Sequence, residues 1–190
     1  MKEEILDKRS AVLKATLELI SEQGFHGTPM SQIAQRANIG VGTIYRYFSS
    51  KEDLINGLYI DIKTRMTRYV FRDYSENISV SVGLKQLLSN VIHYFIENPM
   101  ELSFIEQYEN SPLITDATRE MSMHAAEPLK ALFKRAMEQN ILKELPFDML
   151  GALFSGAVIS LAKLYLSGTA GFDEIYLNAG VDAIWDMIKR

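Results

Sequence analysis

An all-α fold is predicted by three observations. Apolar residues recur at helical spacing along most of the chain. No stretch alternates apolar and polar as a half-buried strand would. Gly, Asn and Pro residues cut the 190 residues into helix-sized pieces. Hydrophobic residues are 47% of the sequence, enough for a sizeable core.

The first helix is predicted over residues 7–23, with Val12, Leu13, Thr16, Leu19 and Ile20 inward and Gly24 as its stop. Phe25 is expected to pack back over the three-helix unit that this helix opens. Thr28 is a suitable N-cap and Pro29 a suitable first residue for a short second helix whose apolar face is Ile33, Ala34 and Ala37. Asn38-Ile39-Gly40 breaks it, since Asn and Gly tolerate left-handed backbone. A third helix over 41–48 puts Ile44 and Phe48 on one side, with Thr43, Tyr45, Arg46 and Tyr47 largely on the others. Ser49 and Glu52 read as a capping box opening a fourth helix to about residue 68, through Leu58, Ile62 and Met66. Residues 73–81 form a polar joint. Further helices are predicted over 82–97, 100–108 and 113–139, the last with a candidate break at Pro128. An eighth runs from after Pro146 to Ser167-Gly168, and a ninth covers 172–189.

Two short helices joined by a tight turn, followed by a third helix start, form the helix-turn-helix device for entering a DNA major groove. The residues go further. Thr28, Ile33-Ala34, Gly42-Thr43-Ile44-Tyr45-Arg46-Tyr47-Phe48 and Lys51 with Leu54 resemble the TetR/AcrR family of transcriptional regulators. The resemblance implies an N-terminal DNA-binding domain (1–50), a connecting helix (51–70) and a C-terminal effector-binding and dimerisation domain (71–190). It implies that Thr28, Ser31, Tyr47 and Lys51 hold backbone phosphates, and that Gly42, Thr43, Tyr45 and Arg46, with Val41, read base edges. A helix N-terminus, a hydroxyl and an ammonium all suit an anionic oxygen. Arg46 either forks onto guanine or grips phosphate. The Tyr45 ring either reads bases or packs between helices. The sequence departs from the family at Gly40, where Ser often opens the third helix, and at Val41, where a polar residue is common.

Charge agrees once divided. The chain carries net −4, yet residues 1–70 hold ten Lys/Arg against eight Asp/Glu, and residues 71–190 hold ten against sixteen. Phosphate contact needs a local positive surface, not a basic protein. No Cys is present, which excludes disulfides and thiolate metal sites and suits the cytoplasm. The start MKEEILDKRS lacks the apolar run of a signal peptide. Residues 149–166 approach membrane-spanning length but contain Gly151, Ser155, Gly156, Ser160 and Lys163, so a buried helix is expected rather than a membrane span.

An enzyme is not expected. Gly40-Val41-Gly42 opens a dinucleotide-loop pattern, but Tyr45 replaces its last Gly and no strand precedes it. The pairs His93/Glu97 and Glu120/His124 share helix faces without a convincing third metal ligand. No cofactor is implied. The competing class is a helical protein–protein adaptor or a small-molecule-binding protein without operator specificity.

The last two helices are expected to build a homodimer. The eighth carries a small stripe, Ala152, Gly156 and Ser160; the ninth carries Leu177, Val181, Ile184 and Ile188 at 4-3-4 spacing, a pairing seam. The alternative is that both helices are the monomer's own core. A two-fold dimer would set two recognition helices about one or more DNA turns apart (~34–36 Å per turn) and read a palindromic operator in double-stranded DNA. Within the C-terminal helices, Tyr94, Phe104, Tyr108, Met121, His124 and Tyr165 are candidates for an apolar or aromatic effector, against the plainer reading of core. Glu106 and Glu109 beside Tyr108 are candidates to accept a cation, against the plainer reading that such acids face solvent. Repression relieved by ligand is the expected output.

Overall fold

The computed structural model describes residues 2–75, 77–169 and 173–190. Among them the chain is helical, with one isolated antiparallel bridge between Leu142 and Lys189. By its internal contacts it forms two units, Met1–Lys63 with Met100–Ser122, and Thr64–Pro99 with Met123–Arg190. The expected divisions after residues 50 and 70 therefore differ from the observed one. The boundary falls inside the fourth helix, and a segment from the middle of the chain joins the N-terminal unit.

The first unit contains α1 (Lys2–Gln23), α2 (Met30–Arg36), α3 (Val41–Tyr45), the start of α4 (Lys51–Val70), most of α6 (Pro99–Tyr108) and much of α7 (Asp116–Ala125). Val12, Leu13, Thr16, Leu19 and Ile20 of α1 are buried as their spacing predicts. Gly24 ends α1 at φ 73°, with its N–H donating to Ile20 O at 2.9 Å. Asn38 ends α2 at φ 54°, and Ile39 N–H reaches back to Ala34 O at 3.0 Å, the bond pattern of a left-handed helix stop. Gly40 stays extended at φ −72°.

Three local expectations need correction. Thr28 does not cap α2. Pro29 occupies the cap without a side-chain bond, and the buried Thr28 Oγ1 donates to Gly24 O at 2.8 Å. The third helix is shorter than 41–48, ending at Tyr45. The capping box of α4 sits one residue later. Asp53 N–H donates to Ser50 Oγ at 3.0 Å, while the Asp53 carboxylate accepts from Ser49 N–H at 2.7 Å.

In the second unit α5 (Val80–Glu97) is the central helix, capped by Ser79 and burying Leu84, Leu87, Leu88, Val91, Ile92 and Phe95. Helices α8 (Glu127–Glu138), α9 (Phe147–Leu166) and α10 (Glu174–Ile188) pack on it. The single helix expected over 113–139 is two, with Pro128 in the first turn of α8. The expected start of the last helix at Phe172 lies outside the described residues, and Asp173 caps α10 through Ile175 N–H and Tyr176 N–H. Gly180 lets α10 close onto α9, since a Cβ there would lie 2.6 Å from Leu161 Cδ2.

Helix α9 is long and apolar enough to cross a membrane by length and composition. Its Leu150, Val158 and Ala162 are buried within the second unit, while Gly151, Ala152, Leu153, Ser155, Gly156 and Ser160 are exposed.

Candidate nucleic-acid interface and effector region

Helix α3 is five residues long and is held entirely from its inner side. Ile44 and Phe48 are buried. Phe48 lies against α4 at Gly57, where a Cβ would come within 2.6 Å of Phe48 Cε1. A helix this short is unstable alone, so this docking fixes its direction. Opposite the docked side, Tyr45 is 52% exposed and Val41 37%, with Gly42 and Arg46 also at the surface and Thr43 half-buried. The Tyr45 ring therefore does not pack between helices. No heavy atom lies within 4 Å of a Cβ built on Gly42, so this backbone is open to close approach.

Around this face the expected phosphate ligands divide. Ser31 is exposed at the start of α2, which has no side-chain cap. Tyr47 is half-buried. Thr28 is removed from the set, because its side chain is buried and its hydroxyl proton already goes to Gly24 O. Lys51 has a second role. Its ammonium stands 4.1 Å from the Phe25 ring centroid and donates to Phe25 O, and burial lowers its pKa from the ordinary Lys value. An ammonium has three donors, so the tie leaves protons for another oxygen.

The unit is braced by polar contacts that sequence reasoning missed. Buried Asn56 donates from Nδ2 to Leu113 O at 2.9 Å and accepts at Oδ1 from Thr115 N–H at 3.0 Å, pinning the 113–115 loop to α4. Glu109 accepts from Tyr59 Oη at 3.1 Å and from Lys63 Nζ at 2.5 Å. The acid expected to receive a cationic ligand thus already holds the chain's own cation. Arg36 on α2 makes a two-point bond to Glu22 on α1, 2.9 Å at each contact, which holds the Glu22 carboxyl below the ordinary range.

The effector candidates fall in different units. Phe104, Tyr108 and Met121 belong to the first; Tyr94, His124 and Tyr165 to the second. Phe104 and Tyr108 are buried with ring centroids 5.0 Å apart, and Tyr108 Oη accepts from Phe25 N–H at 3.2 Å. These two rings are core of the first unit. Met121 and His124 are exposed on α7, Tyr165 is half-buried and Tyr94 is buried. His93 bonds Ser89 O at 2.8 Å through Nδ1 and faces Glu174 at 3.5 Å through Nε2; Glu97 accepts from Tyr69 Oη at 2.7 Å.

The dimer candidates also divide. Leu177, Val181, Ile184 and Ile188 are buried inside the second unit, so the 4-3-4 seam of α10 pairs with its own unit and not with a partner. Ala152, Gly156 and Ser160 are exposed along one stripe of α9. The outer side of α10 carries exposed Tyr176, Ala179 and Ala183.

A three-helix foot with a docked, outward-reading short helix defines a helix-turn-helix DNA-binding regulator. Residues 12–58 match the family described as bacterial regulatory proteins, tetR family, and residues 83–189 match the tetracyclin repressor-like C-terminal domain. The chain belongs to the TetR family and is a DNA-binding transcriptional regulator with a ligand-binding C-terminal domain. It is similar to the fatty acid metabolism regulator protein of Bacillus subtilis, 27% identical over 165 residues that span 85% of this chain and 79% of that one. Its fold matches the crystal structure of a TetR family transcription regulator from Marinobacter aquaeolei with TM-score 0.91 at 20% identity, covering 100% of this chain and 99% of that one. It also matches that of the transcriptional regulator FadR from Bacillus subtilis in complex with stearoyl-CoA, with TM-score 0.70 at 18% identity, covering 94% and 96%.

Proposed function

We propose that the protein is a homodimeric repressor in the bacterial cytoplasm that grips a palindromic operator and releases it on binding an apolar small molecule. The observation that carries the DNA half is the outward face of α3. Val41, Gly42, Tyr45 and Arg46 are exposed while Ile44 and Phe48 anchor the helix from behind. Thr43, Tyr45, Arg46 and Val41 meet base edges, with the open backbone of Gly42 admitting close contact. Ser31, Tyr47 and Lys51 hold phosphates.

The dimer forms across the outer faces of α9 and α10. Small residues at Ala152, Gly156, Ser160, Ala179 and Ala183 let a second copy of the helix pair approach closely, and Leu153 and Tyr176 add apolar area. Burying an exposed apolar face of this size also accounts for a hydrophobic α9 without a membrane. The effector is an apolar chain of the fatty acyl kind. The fatty acid metabolism regulator relative and the stearoyl-CoA complex of a protein of the same fold support this reading. Ligand shifts the spacing of the two α3 helices; a preference of about 1.4 kcal/mol for the non-binding spacing lowers operator affinity about tenfold.

The test is selection of bound sequences from random duplexes. The dimer should enrich an inverted repeat, Tyr45→Ala should change the sequence preference, and Lys51→Ala should weaken binding to all sequences and lower the salt slope by about one. Enrichment of no sequence would instead favour an adaptor role.

A further inference from the structure

The second unit contains a cation without an acidic partner among the described residues. Arg135 projects from α8, which packs on α5. Its Nε is buried and has no hydrogen-bond partner among the described residues. Its Nη2 donates to Tyr74 Oη at 3.3 Å. Asp73, next to Tyr74 in the chain, pairs with Arg72 at 3.3 Å, and Glu138, three residues beyond Arg135 on α8, lies 4.0 Å from Lys134. A buried donor left unmade opposes folding, and a half-buried cation without a counter-charge adds to that cost. Such groups concentrate where a ligand completes the bonding.

The surroundings hold this group in place. The Tyr74 ring lies over Gly83, where a Cβ would stand 2.8 Å from Tyr74 Cε2, and meets Phe71 edge-on at 5.6 Å. On the same helix as Arg135, Leu132, Phe133 and Ala136 are buried, and Phe133 meets Phe147 and Phe154 edge-on at 6.2 and 6.0 Å. The guanidinium thus sits on a helix that buries Leu132, Phe133 and Ala136 and exposes the adjacent Lys134.

We infer that Arg135 and Tyr74 form the head-group receptor of the effector, and that the effector is an anionic amphiphile, an apolar chain ending in a carboxylate or a phosphate. Nε–H and Nη2–H share one edge of the guanidinium and match two oxygens of either anion. The Tyr74 hydroxyl accepts from Nη2 and keeps its own proton for the same anion. This deepens the apolar-effector reading and rests on it.

The test titrates the full-length protein with dodecanoate, dodecyl phosphate and dodecanol by calorimetry. The wild type should bind one of the anions about tenfold tighter than the alcohol, the size of a charge-assisted bond pair. Arg135→Gln should reduce that anion to the affinity of the alcohol and leave the alcohol unchanged. Arg135→Lys, which keeps the charge and loses the fork, should retain part of the preference. The anion preferred by the wild type identifies the source as carboxylate or phosphate. Without ligand, the unfolding midpoint of Arg135→Gln should hold or rise, since removing the unpartnered Nε–H offsets the loss of the long 3.3 Å bond from Nη2 to Tyr74 Oη. Equal affinity for anion and alcohol in the wild type, or a preference surviving Arg135→Gln, overturns the receptor and leaves the apolar effector standing. A lowered midpoint assigns the guanidinium to structure and also overturns it. Binding of none of the three overturns the receptor and the apolar effector together.

Discussion

Replacing glycine by alanine should have opposite consequences at two positions of the DNA-reading unit. Gly42 and Gly57 are both helical, so on propensity alone each exchange gains about 0.8–1 kcal/mol. At Gly42 nothing lies within 4 Å of the added methyl. The fold should keep that gain, and Gly42→Ala should be equal to or more stable than the wild type. Its backbone faces outward beside Tyr45, however, so the same methyl obstructs close approach to a groove, and operator affinity should fall about tenfold or more. At Gly57 the methyl would stand 2.6 Å from Phe48 Cε1. Phe48 is buried and cannot swing away, so overpacking of about 1–3 kcal/mol outweighs the propensity gain. Gly57→Ala should be less stable by roughly 1 kcal/mol or more, with looser docking of α3. Urea unfolding followed by far-ultraviolet dichroism gives the stabilities, and fluorescence anisotropy on a selected operator gives the affinities. A Gly57→Ala protein more stable than the wild type, or a Gly42→Ala protein with full operator affinity, would refute the placement of α3 between Phe48 and the groove.

The same geometry predicts other outcomes. Asn56→Ala strands Leu113 O and Thr115 N–H and should cost about 2–6 kcal/mol in urea unfolding, since each orphaned group costs about 1–3 kcal/mol. Gly156→Leu on the exposed stripe of α9 should convert dimer to monomer in sedimentation equilibrium while leaving the helical dichroism intact. Burial raises the Tyr59 pKa above its ordinary 10.0, with the Glu109 carboxylate adding to the rise and the Lys63 ammonium opposing it, so the neutral phenol is favoured in the folded protein. Stability from this group is whole below its ordinary pKa of 10.0 and is lost as pH rises through the folded pKa. In Tyr59→Phe that alkaline loss should be smaller in pH-dependent urea midpoints.

Local signals in the sequence were sufficient for most helix ends. The stop at Gly24 and the turn at Asn38 appear as left-handed residues, at φ 73° and 54°. Pro128 marks the break between α7 and α8. Where local signals are degenerate the register slips. Ser49-Ser50 followed by Glu52-Asp53 contains two overlapping capping boxes, and only the bonds of Asp53 choose the second. Thr28 before Pro29 has the composition of a cap, but its hydroxyl turns back to Gly24 O. The seam of α10 is visible as a pattern, yet periodicity does not say which helix it meets, and it meets its own unit. Partners far apart in the chain leave no local trace, as with Thr115 and Asn56 across 59 residues and Arg135 and Tyr74 across 61. Tyr45 and Arg46 were legible as outward because the motif and the helical period agree on them, while Thr43 and Tyr47, which the period also turned outward, are half-buried.

A photo-crosslinker installed in turn at Val41 and at Asp182, on a duplex carrying the selected inverted repeat, separates the α3 face from the acidic C-terminal surface. Crosslinks from Val41 to bases in both half-sites, and none from Asp182, are the expected result. Crosslinks confined to Asp182, or from Val41 to no base, would contradict a DNA-reading role for α3.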